Sequence, residues 1–141
     1  MLLLNSPKNN LFMKYLTVAD ILLLHNFAID EFGGSHGLRD LGLLESAVMR
    51  PQATFDGIDL YKTVFDKAAA LVHSLLMNHQ FVDGNKRTAV FSVMTFLELN
   101  GCLFNARQKE VIEYALYIEN SQPEIEEISV WLKNHSKKNI K

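Results

Sequence analysis

Apolar residues recur along this chain at the three-to-four-residue spacing of helices almost from end to end. Ile21, Leu22, Leu24, Phe27 and Ala28 mark a first helix, with Thr17 placed to cap its first turn. Gly33-Gly34 stops it, because glycine takes the positive φ that ends helices. Asp40 opens a short second helix through Leu43, Leu44, Ala47 and Val48. Pro51 closes it by restricting Arg50 and removing a donor. Residues 52–59 read as a connector, with Asp56-Gly57 as a turn signal. A longer third helix is expected from about Leu60 to Asn78, carrying Val64, Phe65, Ala68, Leu71, Val72, Leu75 and Leu76. The fourth, starting near Asn85, is apolar nearly all round: Ala89, Val90, Phe91, Val93, Met94, Phe96, Leu97 and Leu99. Such a helix belongs in the middle of a core. Asn100-Gly101 ends it, and Cys102-Leu103-Phe104 reads as a brief extended stretch. Asn105 is the expected cap of a fifth helix with Val111, Ile112, Ala115, Leu116 and Ile118. Pro123 suits the first turn of a sixth that ends with Trp131 and Leu132.

The pattern predicts an all-α fold, a single-domain helical bundle with a buried central helix. It assigns residues 15–135 to the domain, 1–14 to a loosely ordered leader and 136–141 to a frayed basic tail. Composition agrees: 141 residues with 48% hydrophobic content suit one domain with its own core. A net charge of -2 excludes a protein whose main work is coating nucleic acid. Cys102 is the one cysteine, so there is no internal disulfide, and no Cys/His cluster has zinc spacing. That usage suits a reducing, cytoplasmic setting. Met1 to Leu4 are apolar, but Asn5, Ser6, Pro7 and Lys8 follow at once, too soon for a signal peptide or a membrane span. Neither nucleic acid nor membrane is therefore expected as a partner.

The chemistry concentrates in His79-Gln80-Phe81-Val82-Asp83-Gly84-Asn85-Lys86-Arg87, where the fourth helix begins. The first N–H groups of a helix lack internal partners and carry the positive end of its dipole. Gly84 lets the backbone turn sharply and approach a ligand, so that Gly84, Asn85 and Lys86 can offer a nest for phosphate oxygens. Lys86 and Arg87 add positive charge, and Arg87 can grip phosphate with a bidentate fork. Asp83 is at odds with an anion site unless it holds Mg²⁺, which takes one or two carboxylates plus phosphate oxygens and water. His79 suits a general base, since histidine titrates near neutral pH. Phe81 is expected to point inward and pin the loop.

This loop, His79-x-Phe81-x-Asp83-Gly84-Asn85-Lys86-Arg87, resembles the signature of the Fic/Doc superfamily, and more closely the Doc (death-on-curing) branch of toxin–antitoxin toxins. Gly37-Leu38-Arg39-Asp40, Leu43-Leu44-Glu45-Ser46-Ala47, Arg50-Pro51-Gln52-Ala53-Thr54-Phe55 and Phe96-Leu97-Glu98-Leu99-Asn100-Gly101 resemble Doc sequence in the same order. The likeness runs over roughly residues 15–120. It implies a Fic fold, ATP as donor and Mg²⁺, with His79 as base, Asp83 as metal ligand and Gly84, Asn85, Lys86 and Arg87 as anion cradle. Fic relatives usually move AMP onto a hydroxyl, whereas Doc toxins phosphorylate a threonine of elongation factor Tu. Where AMP-transferring relatives usually have glycine this chain has Lys86, and where they have a second arginine it has Val90. Both choices resemble Doc and imply phosphoryl transfer to a protein, with nucleotidyl transfer or nucleotide binding without turnover as the alternatives.

The chain departs from the characterised kinase branch at Met77, where that branch has arginine, and at Phe91, where it has asparagine. Asn78 and His73 are the nearby polar residues that could stand in. Residues 50–60 resemble the flap on which Fic-like enzymes lay a target segment. The inhibitory Ser/Thr-x-x-x-Glu motif of Fic proteins has no match, so the resemblance implies a cognate antitoxin acting in trans. His25, His36 and His135 read as surface or loop groups, Cys102 as a small buried residue, and Trp131 as the core anchor of the last helix.

Overall fold

The computed structural model describes residues 12–138, so the leader as far as residue 11 and the end of the tail lie outside the described residues. Six helices appear in chain order among the described residues. These are α1 (Val18–Phe32), α2 (Leu41–Met49), α3 (Val64–Met77), α4 (Asn85–Leu99), α5 (Gln108–Ser121) and α6 (Ile125–Asn134). A 3₁₀ turn, Arg50–Gln52, follows α2. Two small antiparallel sheets complete the fold, β1 (Thr54–Phe55) with β2 (Ile58–Asp59), and β3 (Cys102–Phe104) with β4 (Ser136–Lys138).

Local sequence fixes most of the boundaries. Thr17 and Thr63 each accept from the third residue of their helix, and Asp20 and Asp66 return the bond to the cap's own N–H. The capping box at Thr63 explains why α3 starts there and not at Leu60 as the periodicity suggested. The residues before it are tied up in the connector, which is a hairpin. Asp56 and Gly57 both have positive φ, the geometry of a tight two-residue hairpin turn, with Phe55 opposite Ile58. Asn105 does not cap α5. Its N–H instead donates to the carbonyl of His135, and Glu110 caps the helix from within by accepting from the Arg107 N–H. Pro123 stands just ahead of α6, whose cap is Glu124.

The C-terminal stretch differs most from expectation. Ser136 to Lys138, read as a frayed tail, forms strand β4, with Phe104, Leu103 and Cys102 opposite Ser136, Lys137 and Lys138. At the other end, Lys14 is held to the fold through both backbone groups by the side chain of Asn100.

Burial is shared between two central helices. On α4, Ala89, Val90, Val93, Phe96 and Leu97 are buried, as its pattern predicted. On α3, Ala68, Ala69 and Ala70 have no exposed surface, and Leu75 and Leu76 are equally enclosed. Small side chains there let neighbouring helices approach on several sides. α3 ends and α4 begins at the loop that joins them, so the loop is anchored on the most buried part of the molecule.

Candidate active site

The loop from Asn78 to Gly84 is held by side chains that point into the protein. Asn85, in the first turn of α4, reaches back: its Oδ1 accepts from Phe81 N (3.0 Å) and Gln80 Nε2 (3.1 Å), and its Nδ2 donates to Phe81 O (2.9 Å). Gln80 is fully buried and also donates to Leu75 O. Phe81 is buried as expected. The side chain of Asn85 is thus a staple for the loop, and only its backbone N–H is left to the cradle.

A second layer comes from α1 and the segment after it. His25, expected at the surface, is 3% exposed. Its ring lies flat on Phe81 at 3.8 Å and 4°, and its Nε2 donates to Asp83 O at 2.9 Å. The expectation failed because His25 sits on the same helix face as Ile21 and Ala28, and a ring that stacks on one side and donates a hydrogen bond on the other can be packed into the interior. Residues 37–40 run alongside the loop: Arg39 and Asp40 N–H donate to Gln80 O, and Val82 N–H donates to Gly37 O. The Arg39 guanidinium donates to His79 O (2.7 Å) and Asn78 O (3.2 Å). That clamp holds His79 in a left-handed backbone conformation, φ 50°, that a non-glycine residue adopts only under constraint.

The remaining loop residues face a cavity of about 410 Å³ between α1, α4 and α5. His79, Asp83, Gly84, Asn85, Lys86 and Arg87 all line it, so every residue singled out for chemistry meets there. His79 is exposed, and among the described residues its imidazole bonds to no other group. Gly84 caps α4 with φ 75° and has no side chain to occupy the first-turn N–H groups, which leaves those of Asn85, Lys86 and Arg87 open. A Cβ on Gly84 would meet Ile29 Cδ1 at 2.8 Å, a side-chain end that can give way, so it is the positive φ that favours glycine here. Asp83 is exposed and accepts from Ser35 N–H (3.0 Å) and Gly84 N–H (2.9 Å). Those two bonds, Ser35 first, hold its carboxyl below the usual carboxylate range. A Cβ at Gly34 would come within 2.8 Å of Asp83 Oδ2, so the close approach of that segment depends on glycine.

The two cations are not bare. Lys86 Nζ is paired with Glu119 of α5 at 2.8 Å, with both side chains partly buried. An anion entering the cavity must share Lys86 with that carboxylate. Arg87 lies over the Phe32 ring at 4.0 Å, and it bonds to no carboxylate, which leaves its donors available to a ligand. Phe32 in turn packs against Phe91, as does Phe27, at ring separations of 5.9 and 5.7 Å. Phe91 therefore supports the Phe32 shelf on which Arg87 rests. Asn78 donates to Leu43 O and His73 accepts from Arg50, and neither lines the cavity. Sequence reasoning missed His25, Arg39, Phe32 and Glu119 as parts of the site, because each comes from a distant segment and only the fold brings it in.

Known proteins resemble this chain. The sequence profile of the Fic/DOC family matches residues 15–97. Toxin Doc of Mycolicibacterium smegmatis is 52% identical over 88 residues, covering 62% of this chain and 65% of that protein. Protein kinase doc of Escherichia phage P1 is 32% identical over 89 residues, 63% of this chain and 70% of that protein. The matched stretch thus spans just under two thirds of the first relative's length. The family match, residues 15–97, holds α1 to α3, the whole loop and α4 as far as Leu97.

Proposed function

The chain belongs to the Fic/DOC family, and from that premise we propose that it is a Doc-like toxin that moves the γ-phosphoryl group of ATP to a hydroxyl side chain of a protein. One observation carries the reading: an unbonded imidazole, His79, lines the same cavity as the open N–H groups that begin α4. A base and an anion cradle within one pocket are what phosphoryl transfer requires. The relative from phage P1 is named a protein kinase, which favours phosphoryl over nucleotidyl transfer. Lys86, half-buried against Glu119, fills space beside the nest and favours the same choice.

In this reading the target hydroxyl enters at the cavity mouth and gives its proton to His79 as its oxygen bonds to the γ-phosphorus. The bond from that phosphorus to the bridging oxygen breaks, and ADP leaves. N–H groups of Asn85, Lys86 and Arg87 stabilise the charge on the equatorial oxygens, with the Arg87 guanidinium beside them. Asp83 fits the role of a Mg²⁺ ligand: it is exposed, ionised and at the rim of the cradle. Among the described residues no group of three or more His, Cys, Asp or Glu side chains could hold a metal. Asp83 would therefore hold the ion together with phosphate oxygens and water, and Mg²⁺ would supply charge neutralisation. By resemblance the target is elongation factor Tu, the setting is the cytoplasm, and a cognate antitoxin restrains the enzyme in trans. No helix among the described residues is long and apolar enough to cross a membrane.

Incubation with Mg²⁺, elongation factor Tu and ATP labelled at either the α- or the γ-position tests the proposal. Protein-bound label from the γ-position alone is expected. Label from the α-position would replace the kinase reading with AMP transfer.

A further inference from the structure

A second concave surface lies between α5 and α6, away from the cavity. It is a groove of about 300 Å³ lined by Glu110, Glu113, Tyr114, Tyr117, Trp131 and His135. At 100° per residue, Glu110, Glu113, Tyr114 and Tyr117 share one face of α5, while Ile112 and Glu119, which line the cavity, project from the opposite face. The groove is therefore independent of the nucleotide reading.

Its walls are aromatic and its rim is acidic. Tyr114 stacks on Trp131 at 4.1 Å and 3°, His135 stacks on Trp131 at 3.9 Å and 19°, and Tyr117 leans on Tyr114 at 5.3 Å. Glu127 of α6 accepts from the Tyr117 hydroxyl at 2.6 Å, which joins the two helices across one end of the groove. His135 is fixed by its Nδ1, which donates to Trp131 O. No lysine or arginine lines the groove. Glu113 is exposed, and among the described residues no basic side chain pairs with it. Burial pushes the Tyr114 phenol up to about 12, helped by Glu127 and Tyr117, so the negative charge here belongs to the carboxylates.

We propose that this groove binds an arginine side chain presented by a partner protein. A guanidinium is planar and weakly hydrated, so it can lie against stacked rings while its fork of donors meets carboxylates. An acidic partner would be repelled by Glu110, Glu113 and Glu127. A purely apolar one would leave those carboxylates desolvated and unpaired. Lysine satisfies the charge but cannot stack, so arginine is the better fit.

Trp131 is the chain's one tryptophan, so its fluorescence reports on the groove directly. The full chain would be titrated with a blocked di-arginine peptide, and with di-lysine and di-citrulline peptides of the same length. A saturable change in emission with di-arginine is expected, with weaker binding of di-lysine and none of di-citrulline. Glu113→Gln and Tyr117→Leu should each raise the half-saturation concentration roughly five- to tenfold, the scale of one charge-assisted or cation–π contact. Both positions are exposed, and circular dichroism would verify that the variants fold. Glu45→Gln, an exposed carboxylate on α2, should change nothing. No saturable response to di-arginine, equal response to lysine or citrulline, insensitivity to both groove substitutions, or an equal effect of Glu45→Gln would overturn the proposal.

Discussion

Two sets of side chains alternate within the nine-residue loop, and the fold treats them in opposite ways. Gln80, Phe81 and Asn85 turn inward, where they are packed or bonded to the backbone of α3 and of the loop itself. His79, Asp83, Lys86 and Arg87 turn toward the cavity. Apart from Gln80 Oε1, which has no partner, the inward set spends its bonding capacity on shape, and the outward set keeps some for a ligand. His79 shows the division within one residue: its carbonyl is clamped by Arg39 while its imidazole is left unbonded. A loop can therefore be rigid and reactive at once, because different residues carry the two properties.

If that division is real, substitutions should separate cleanly. The largest effect is expected for His79→Ala, which should cut transfer roughly 10²–10⁴-fold, the usual worth of a positioned general base. Its melting temperature should match wild type, since the imidazole contributes no bond to the fold. A thermal shift assay beside a transfer assay would break the comparison if both quantities fell together. Phe81→Ala should do the reverse in origin: a loss of about 3–5 kcal/mol of stability by denaturant titration, from an emptied core site and a bare His25 ring.

That inward set was only partly legible in the sequence. Phe81 could be assigned to the core because an aromatic residue among polar ones has no other obvious place. The helices were readable from periodicity, and α1 and α2 from Thr17 and Asp40 as caps. Asn85 and Gln80 were not readable as scaffold, since an amide's partners depend on where the loop folds back. The β3–β4 pair escaped for the same reason. Three residues of lysine-rich tail carry no strand pattern, and only the return of α6 beside Cys102–Phe104 pairs them. The cavity-facing residues His79, Asp83 and Gly84 were legible because they fall within six positions of one another. Glu119 and Phe32 lie on α5 and α1, more than 30 and 50 residues from Lys86 and Arg87 respectively, with no local signal to connect them.

Glu119 sharpens the contrast from the other side, because it draws an outward residue partly into the fold's own bonding. Glu119→Ala should release Lys86 and tighten ADP binding several-fold at low salt, in line with one partly exposed ion pair. Calorimetry at two ionic strengths would check this, and unchanged affinity at both would place Lys86 outside the anion's reach.

The smallest effect concerns the hairpin, whose approach is held by Arg50 bonded to Tyr61, His73 and Ser74. Burial, and then the Arg50 charge, lower the His73 pKa. A histidine with a lowered folded pKa contributes stability that is complete above its unfolded pKa of about 6.5 and is lost as pH falls below it. Wild type should thus lose slightly more stability than His73→Gln between neutral pH and pH of about 5.5, read by chemical denaturation at each pH. Equal losses would remove His73 from the pH response.

The central claim is that the start of α4 holds the transferred phosphate within reach of His79. A crystal structure with Mg²⁺ and a non-hydrolysable ATP analogue tests it most directly. The γ-phosphate is expected on the N–H groups of Asn85, Lys86 and Arg87, with the His79 imidazole facing it and Asp83 beside the metal. An α-phosphate in that position, or a nucleotide bound away from the loop, would contradict it.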